Sequence, residues 1–445
     1  MSYSRQFAKY ILDLKFADLP ESTVEKTKLC FADWLAAVFN SKINGLADTY
    51  VDFATRMGGN GTSTIIGRDR KTALPWAAFA NASLGHITEV DDGHKMSMMH
   101  VGILVFPVVF AYAEKLGSSG REMIEAAVCG YDLAIRVGEC LGKDHYSIWH
   151  TTATAGTFGA AAAAAKMLKL GEDEIVWTFG YAGTQAAGLW QFLVDGAVEA
   201  KPFHPGKAVM NGIIAAEFAS QGIAGPEHIF EGEKGFCRAV SPNYDLNYLT
   251  DRLGSHYKVD EVNFKGYPTC GQTHSMIDAT KKIMASHELF PGKIKKIEAK
   301  VYQKAIDVAG KANPSSLQEA KFSNPFCMAA VIVKKDITFG NLSVKDLENK
   351  EIRNLMSKVE MVFDPELEKL FPACRPCVVS ITLDDGTIFS AENRFRKGDP
   401  ENPMDKTSMA AKFTELTSEL LSEKERNRIL NWTYDLEKLE IYREL

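Results

Sequence analysis

Residues 378–393 read Val378-Val-Ser-Ile-Thr-Leu383-Asp-Asp-Gly-Thr387-Ile-Phe-Ser-Ala-Glu-Asn393. Two runs rich in β-branched residues flank Asp384-Asp-Gly386, and an Asp-Gly turn between such runs is a strong short-range sign of a β-hairpin. Working back from it, Ile297, Ala299 and Val301 alternate with Glu298 and Lys300, and Val359, Met361 and Phe363 alternate likewise. A period of two is that of a half-buried strand. Gln318 to Val333, between these strands, has a helical pattern. The residues from 267 to 403 are therefore expected to form an α+β module with a small antiparallel sheet.

Upstream of this module the period is helical. Ser22-Thr-Val-Glu25 has the form of a capping box and opens a stripe of Val24, Phe31, Leu35 and Val38. Gly58-Gly-Asn-Gly61 interrupts as a turn, and Pro75 suits the first turn of the next helix. Helices are expected over Ile103 to Leu116, Arg121 to Cys140, Ala153 to Leu168, Trp177 to Trp190 and Ala208 to Gln221. The six alanines Ala160 to Ala165 mark an interior helix that neighbours can approach closely. After the Pro/Gly linker Gly398-Asp-Pro-Glu-Asn-Pro403, the last segment is helical again and is expected to pack on the first. The fold class is α+β. A large helical domain takes residues 1–266 and 404–445, and a smaller α+β domain takes 267–403.

Composition narrows the function. The formal net charge of −6 argues against a nucleic-acid partner. The longest apolar run, Ile103 to Ala113, is too short to span a bilayer, and no signal-peptide pattern opens the chain, so a cytoplasmic protein without a membrane partner is expected. Eight scattered cysteines suit a reducing compartment. Cys374-Arg-Pro-Cys377 lacks the second pair that a structural zinc site needs, so no metal is expected.

The chemistry is expected around Ala82 to Gly102, which packs His86, Glu89, Asp91, Asp92, His94, Lys95 and His100 among apolar residues. Clustered acids and bases shift one another's pKa values and suit proton transfer. Three further segments mix cations and histidines with glycine: Trp149 to Gly156 with His150, Lys201-Pro-Phe-His204-Pro-Gly206, and Lys265-Gly-Tyr-Pro-Thr-Cys270-Gly-Gln-Thr-His274. Together they offer His100, His150, His204 and His274 as acid/base groups and Lys201 and Lys265 as fixed charge. Such a set suits removal of a proton α to a carboxylate, where lysine or protonated histidine stabilises the carbanion-like state. His86, His145, His228, His256 and His287 are given no role. Asp91, Asp92 and His94 read equally as a helix cap or metal ligands, and nothing local lowers the Cys270 thiol pKa.

These motifs, taken in order, resemble the MmgE/PrpD family. They are Glu89-Val-Asp-Asp-Gly-His94 with His100-Val-Gly102, His150 through Phe158-Gly-Ala-Ala, Lys201 to Gly206, Lys265 to Cys270 with His274, Glu319-Ala-Lys-Phe-Ser323, Asp364-Pro-Glu, Arg375-Pro and Gly398 to Pro403. The family includes 2-methylcitrate dehydratase, cis-aconitate decarboxylase and iminodisuccinate epimerase. The resemblance implies a helical body built from both chain ends, an α+β lid, a homodimer and no cofactor. It implies a catalytic set of Asp91, Asp92, His100, His150, Lys201 and Lys265, with His204, His94, Cys270 and His274 toward substrate. Three positions depart from the family pattern: Val101 stands where proline usually follows the histidine, Gly93 where threonine often follows the paired acids, and Cys270 where histidine can stand.

The function so implied is a cofactor-independent lyase, a dehydratase or decarboxylase, acting on a small di- or tricarboxylate. One of His100 and His150 would move the α-proton. Lys201, His204 and Lys265 would hold carboxylates, and Asp91 and Asp92 would orient the histidines or donate a proton. The alternatives are an epimerase with two bases and a dimeric binding protein without turnover.

Overall fold

In the computed structural model, which describes residues 1–442, the chain forms two compact units. One comprises residues 1–262 and the stretch from Met409 onward, the other residues 263–408.

The first unit is helical apart from a two-residue ribbon, Ser63–Thr64 with Lys71–Thr72. Its centre is the helix Thr151–Met167, in which every residue but Lys166 is buried. This helix packs on Gly120–Tyr146, Phe203–Ala219, Gly102–Leu116 and Glu172–Gln185. Four neighbours fit because the alanine run has almost no side-chain bulk. A methyl group added at Gly212 would lie 2.6 Å from the Ala160 Cβ. Such close approach of helix axes leaves little freedom in where the helix ends fall, and the candidate residues sit at those ends.

Local signals mostly act as expected. Pro75 lies in the first turn of Leu74–Ile87. The box at Ser22 does not form. Pro20 starts the helix Glu21–Asn40 two residues earlier, Thr23 turns its hydroxyl to Asp260 (2.8 Å), and Glu25 pairs with Lys28. A capping box does form at Ser422 and Glu425, opening Glu423–Tyr434.

The C-terminal part of this unit makes a buried strut. Lys412 Nζ lies 2.6 Å from Asp33 Oδ1 and 2.7 Å from the Val90 carbonyl oxygen, and both charged side chains are almost wholly buried. Burial lifts the Asp33 carboxyl to about 6 even against the pull of Lys412.

The second unit carries a four-stranded sheet in the order Val359–Phe363, Ile294–Val301, Cys377–Leu383, Ile388–Asn393. The hairpin forms with a three-residue loop in which Gly386 takes φ +87°, the left-handed position that favours glycine. The sheet is mixed, not antiparallel throughout: Ile297 to Val301 run parallel to Val359 to Phe363. The long helical crossover between those strands permits a parallel pairing that no hairpin could make. The helix expected over Gln318 to Val333 is two helices, Leu317–Lys321 and Asn324–Lys334. Ser323 caps the second by accepting from the Phe326 N–H, with Pro325 in its first turn. Ile277, Ile283, Ile297, Val301, Val331, Val379 and Ile381 form the core beneath the sheet.

Removing one partner of a buried ion pair leaves the other charge uncompensated. Lys412→Met is expected to cost about 3–5 kcal/mol in urea-induced unfolding, because Asp33 keeps its burial and loses its counter-ion.

Candidate active site

Four helix ends of the first unit bring the candidate groups together. His86 is on the last turn of Leu74–Ile87, His100 precedes Gly102–Leu116, His150 is the N-cap of Thr151–Met167, and His204 is in the first turn of Phe203–Ala219. The His86 ring centroid is 4.7 Å from that of His100 and 6.3 Å from that of His150, and the His150 and His204 rings are 5.3 Å apart.

Asp91 joins two of the rings. Its Oδ2 is 2.9 Å from His86 Nδ1 and 3.1 Å from His100 Nδ1. His100 Nδ1 also lies 2.7 Å from the Asp92 carbonyl oxygen. Both neighbours of that nitrogen are acceptors, so Nδ1 carries the proton and neutral His100 keeps its lone pair on Nε2. Burial alone would raise the Asp91 carboxyl, but His86 and His100 hold it well below the usual carboxylate range. Burial pushes His86 down. Its Nε2 is buried, has no hydrogen-bond partner, and stands 3.7 Å from Glu89 Oε1.

Asp92 faces the other way. Its Oδ1 accepts from the N–H groups of Val101 (3.1 Å) and Gly102 (2.9 Å), and its Oδ2 from the Tyr131 hydroxyl (2.6 Å). It caps the helix that follows His100. A side chain at Gly102 would crowd both Tyr131 and Asp92. Burial raises the Asp92 carboxyl despite these donors, so the paired acids have opposite shifts.

The second pair is His150 and His204, with Nδ1 atoms 3.0 Å apart. The His150 N–H donates to Gly188 O (2.9 Å) and the Trp190 N–H to Ile148 O (3.0 Å), which lays residues 188–190 alongside His150. The Trp190 ring covers it at 4.4 Å. Burial, then Lys201 and the other histidines, drive His150 well below its ordinary value, and burial brings His204 to about 4. Both rings are neutral near pH 7, one Nδ1–H donating to the other Nδ1 lone pair. Lys201 is ion-paired with Glu89, whose backbone sits in the left-handed region at φ +58°. With Lys201 matched by Glu89, the ionised Asp91 leaves this cluster one negative charge over while its rings are neutral, so it is not itself the cationic grouping expected from sequence.

Four further candidates are His94, Lys265, Cys270 and His274. His94 turns from the cluster to Ser97 (2.9 Å) and Glu261 (3.0 Å). Lys265, Cys270 and His274 belong to the second unit. There His274 begins the helix His274–Ser286, and its Nε2 stands 3.1 Å from the Thr269 carbonyl oxygen. Burial and Arg396 lower it to about 3. The Cys270 N–H donates to Lys321 O (2.8 Å), and the Phe264 N–H beside Lys265 donates to Gly398 O (3.0 Å). His86 and Glu89, given no role from sequence, are integral to the cluster. The available signal was spacing: His86 precedes Glu89 by three residues and Asp91 by five, on the buried side of a helix end.

Imidazoles, a shared buried carboxylate and an ion-paired lysine are the kinds of group that general acid–base chemistry uses. The chain belongs to the MmgE/PrpD family: residues 5–249 match the family's N-terminal domain and residues 267–436 its C-terminal domain. It is similar to cis-aconitate decarboxylase of Homo sapiens, 27% identical over 453 residues, which covers 99% of this chain and 92% of the human one. The mouse enzyme of that name is 26% identical over 455 residues (99% and 91%) and that of Aspergillus terreus 24% over 446 residues (95% and 90%). Among the described residues, no helix is long and apolar enough to cross a membrane.

Histidines kept neutral by burial make folding pH-dependent. The unfolded chain takes up protons near pH 6.5, whereas the folded one resists until about 4 at His145 and His204. Stability is therefore fully present above pH 6.5 and is lost as the pH falls toward 4. His145→Gln, outside the cluster, is expected to flatten the fall in melting temperature between those values.

Proposed function

We propose that this protein is a cofactor-independent lyase of a small di- or tricarboxylate, with His100 as the group that moves a proton at the carbon α to a carboxylate. The observation that carries this reading is the double acceptor at His100 Nδ1. Asp91 and the Asp92 carbonyl hold the proton there, leaving Nε2 as the basic nitrogen. When Nε2 takes a proton, the imidazolium faces an ionised carboxylate that already accepts from it, so the charge develops without reorganisation.

The neighbouring groups divide the remaining work. Lys201 binds a Glu89 carboxylate oxygen now, the kind of partner a substrate carboxylate would offer in its place. The neutral His150–His204 pair passes a proton along, taking one up as it gives one. In a dehydration, His100 removes the α-proton, the C–O bond breaks, and the departing hydroxide takes that proton from the His100 imidazolium, passed through the pair, and leaves as water. In a decarboxylation, the bond to a carboxylate breaks, carbon dioxide leaves, and the carbon takes a proton from an imidazolium. The relatives named as cis-aconitate decarboxylases favour the second branch. Lys265, Cys270 and His274 keep the substrate-facing roles implied by the resemblance, and the assignment of His100 does not draw on them.

Two neutral base systems in one cluster also support the epimerase reading, with His100 on one face of the carbon and His150 on the other. Incubation in deuterated water with cis-aconitate, 2-methylcitrate or an amino-dicarboxylate, followed by NMR, separates the branches. Lysis yields carbon dioxide or an alkene, and epimerisation yields deuterium at an intact skeleton.

His100→Gln and Asp91→Asn are each expected to lower kcat by about 10²- to 10⁴-fold, the usual range for loss of general acid–base catalysis. Turnover retained in a folded His100→Gln protein would move the proton-transfer role elsewhere.

A further inference from the structure

We propose that His86, Glu89 and His100 form a binding site for one divalent transition-metal ion, which Zn²⁺ would fill, and that the ion competes with Lys201 for Glu89 and occupies the basic nitrogen of His100.

One ligand atom from each of these three residues lies within 4.8 Å of the other two. Two imidazoles and a carboxylate are a common donor set for zinc and its first-row neighbours. Asp91 engages Nδ1 of both rings, so the nitrogen that each ring offers to a ligand is Nε2. A carboxylate that fixes the far nitrogen is the usual support behind a metal-binding histidine, since it sets the ring's orientation and raises its basicity.

The unpartnered His86 Nε2 points the same way. A buried polar atom without a hydrogen bond is costly, and this one belongs to a residue with no exposure. Its 3.7 Å separation from Glu89 Oε1 is close to the ~3.3 Å between two ligands at ordinary zinc distances in a tetrahedron. Little movement is needed.

The other such grouping in this unit shows what a filled site looks like. His94, Glu139 and Glu261 are equally close. There both ring nitrogens of His94 are engaged, and Lys258 Nζ lies 2.9 Å from Glu139 and 3.1 Å from Glu261. An ammonium already fills the space a metal would take. At the first grouping Lys201 is paired with Glu89, and Nε2 of His86 has no hydrogen-bond partner.

The consequence for turnover, unlike the binding itself, rests on the proposed role of His100: a ring whose Nε2 lone pair is bound to zinc cannot accept a proton. Zinc titrated into the full chain without substrate, followed by calorimetry at pH 7.5, tests the site independently of any reaction. One equivalent is expected to bind. His86→Asn and Glu89→Gln should each weaken it by about tenfold or more, and Lys201→Met should tighten it by removing the competitor. His94→Gln should leave it unchanged. Cobalt in place of zinc should give the intense visible absorption of a tetrahedral ion in the unaltered chain and lose it in Glu89→Gln. Absence of stoichiometric binding, or binding indifferent to both His86→Asn and Glu89→Gln in folded proteins, would overturn the proposal. Tight binding without inhibition would leave the site standing and remove His100 from the role of base.

Discussion

A single buried oxygen, Oδ2 of Asp91, accepts from two imidazoles. Taking a carboxylate out of water is costly, and the charge persists there only because both rings turn an N–H toward it. The consequences spread outward. His100 is fixed in one tautomer, His86 is fixed in the same one, and in both neutral rings the lone pair is left on Nε2. Asp92 follows in sequence but accepts from two backbone N–H groups and a tyrosine, and so stabilises the helix start on which His100 stands. Adjacent and chemically identical residues thus divide two tasks, one electronic and one geometric.

The geometry that makes this possible comes from small side chains. His86, His100, His150 and His204 lie at the ends of four different helices or just before them, and their rings meet because those helices pack at the close distance the alanine run allows. Bulk at the centre would spread the helix ends and separate the rings. The burial that results also explains the protonation states. His150 and His204 are neutral because burial takes from them much of the water that would stabilise a charge, so they can exchange a proton with each other.

Much of this was legible in the sequence, and the reasons differ by element. The hairpin at Asp384-Asp-Gly386 and the strands around it show a period of two that no helix shares, so the α+β class could be read directly. The parallel pairing of Ile294–Val301 with Val359–Phe363 could not, because alternation reports which face is buried and not which neighbour a strand takes. The break at Phe322 and Ser323 was hidden because two short helices on one core face keep a common apolar stripe. His100, His150, Lys201 and His204 stood out as polar groups beside glycine or proline at helix starts. His86 did not, since one histidine within an apolar helix looks the same whether it is structural or reactive. Its part is visible only once Asp91 is seen to bond to it. His94 shows the converse: a prominent histidine in a polar run whose ring is committed to Ser97 and Glu261.

The strut from Lys412 to the Val90 carbonyl has a bearing on how the protein matures. Val90 lies between Glu89 and Asp91, so the peptide that carries the shared carboxylate is tethered by a residue some three hundred positions later in translation. Until the segment that carries Lys412 has been made, the loop at the centre of the N-terminal helices lacks its anchor and Asp33 lacks its counter-ion. The groups gathered around Asp91 therefore reach their full set of contacts only late in synthesis.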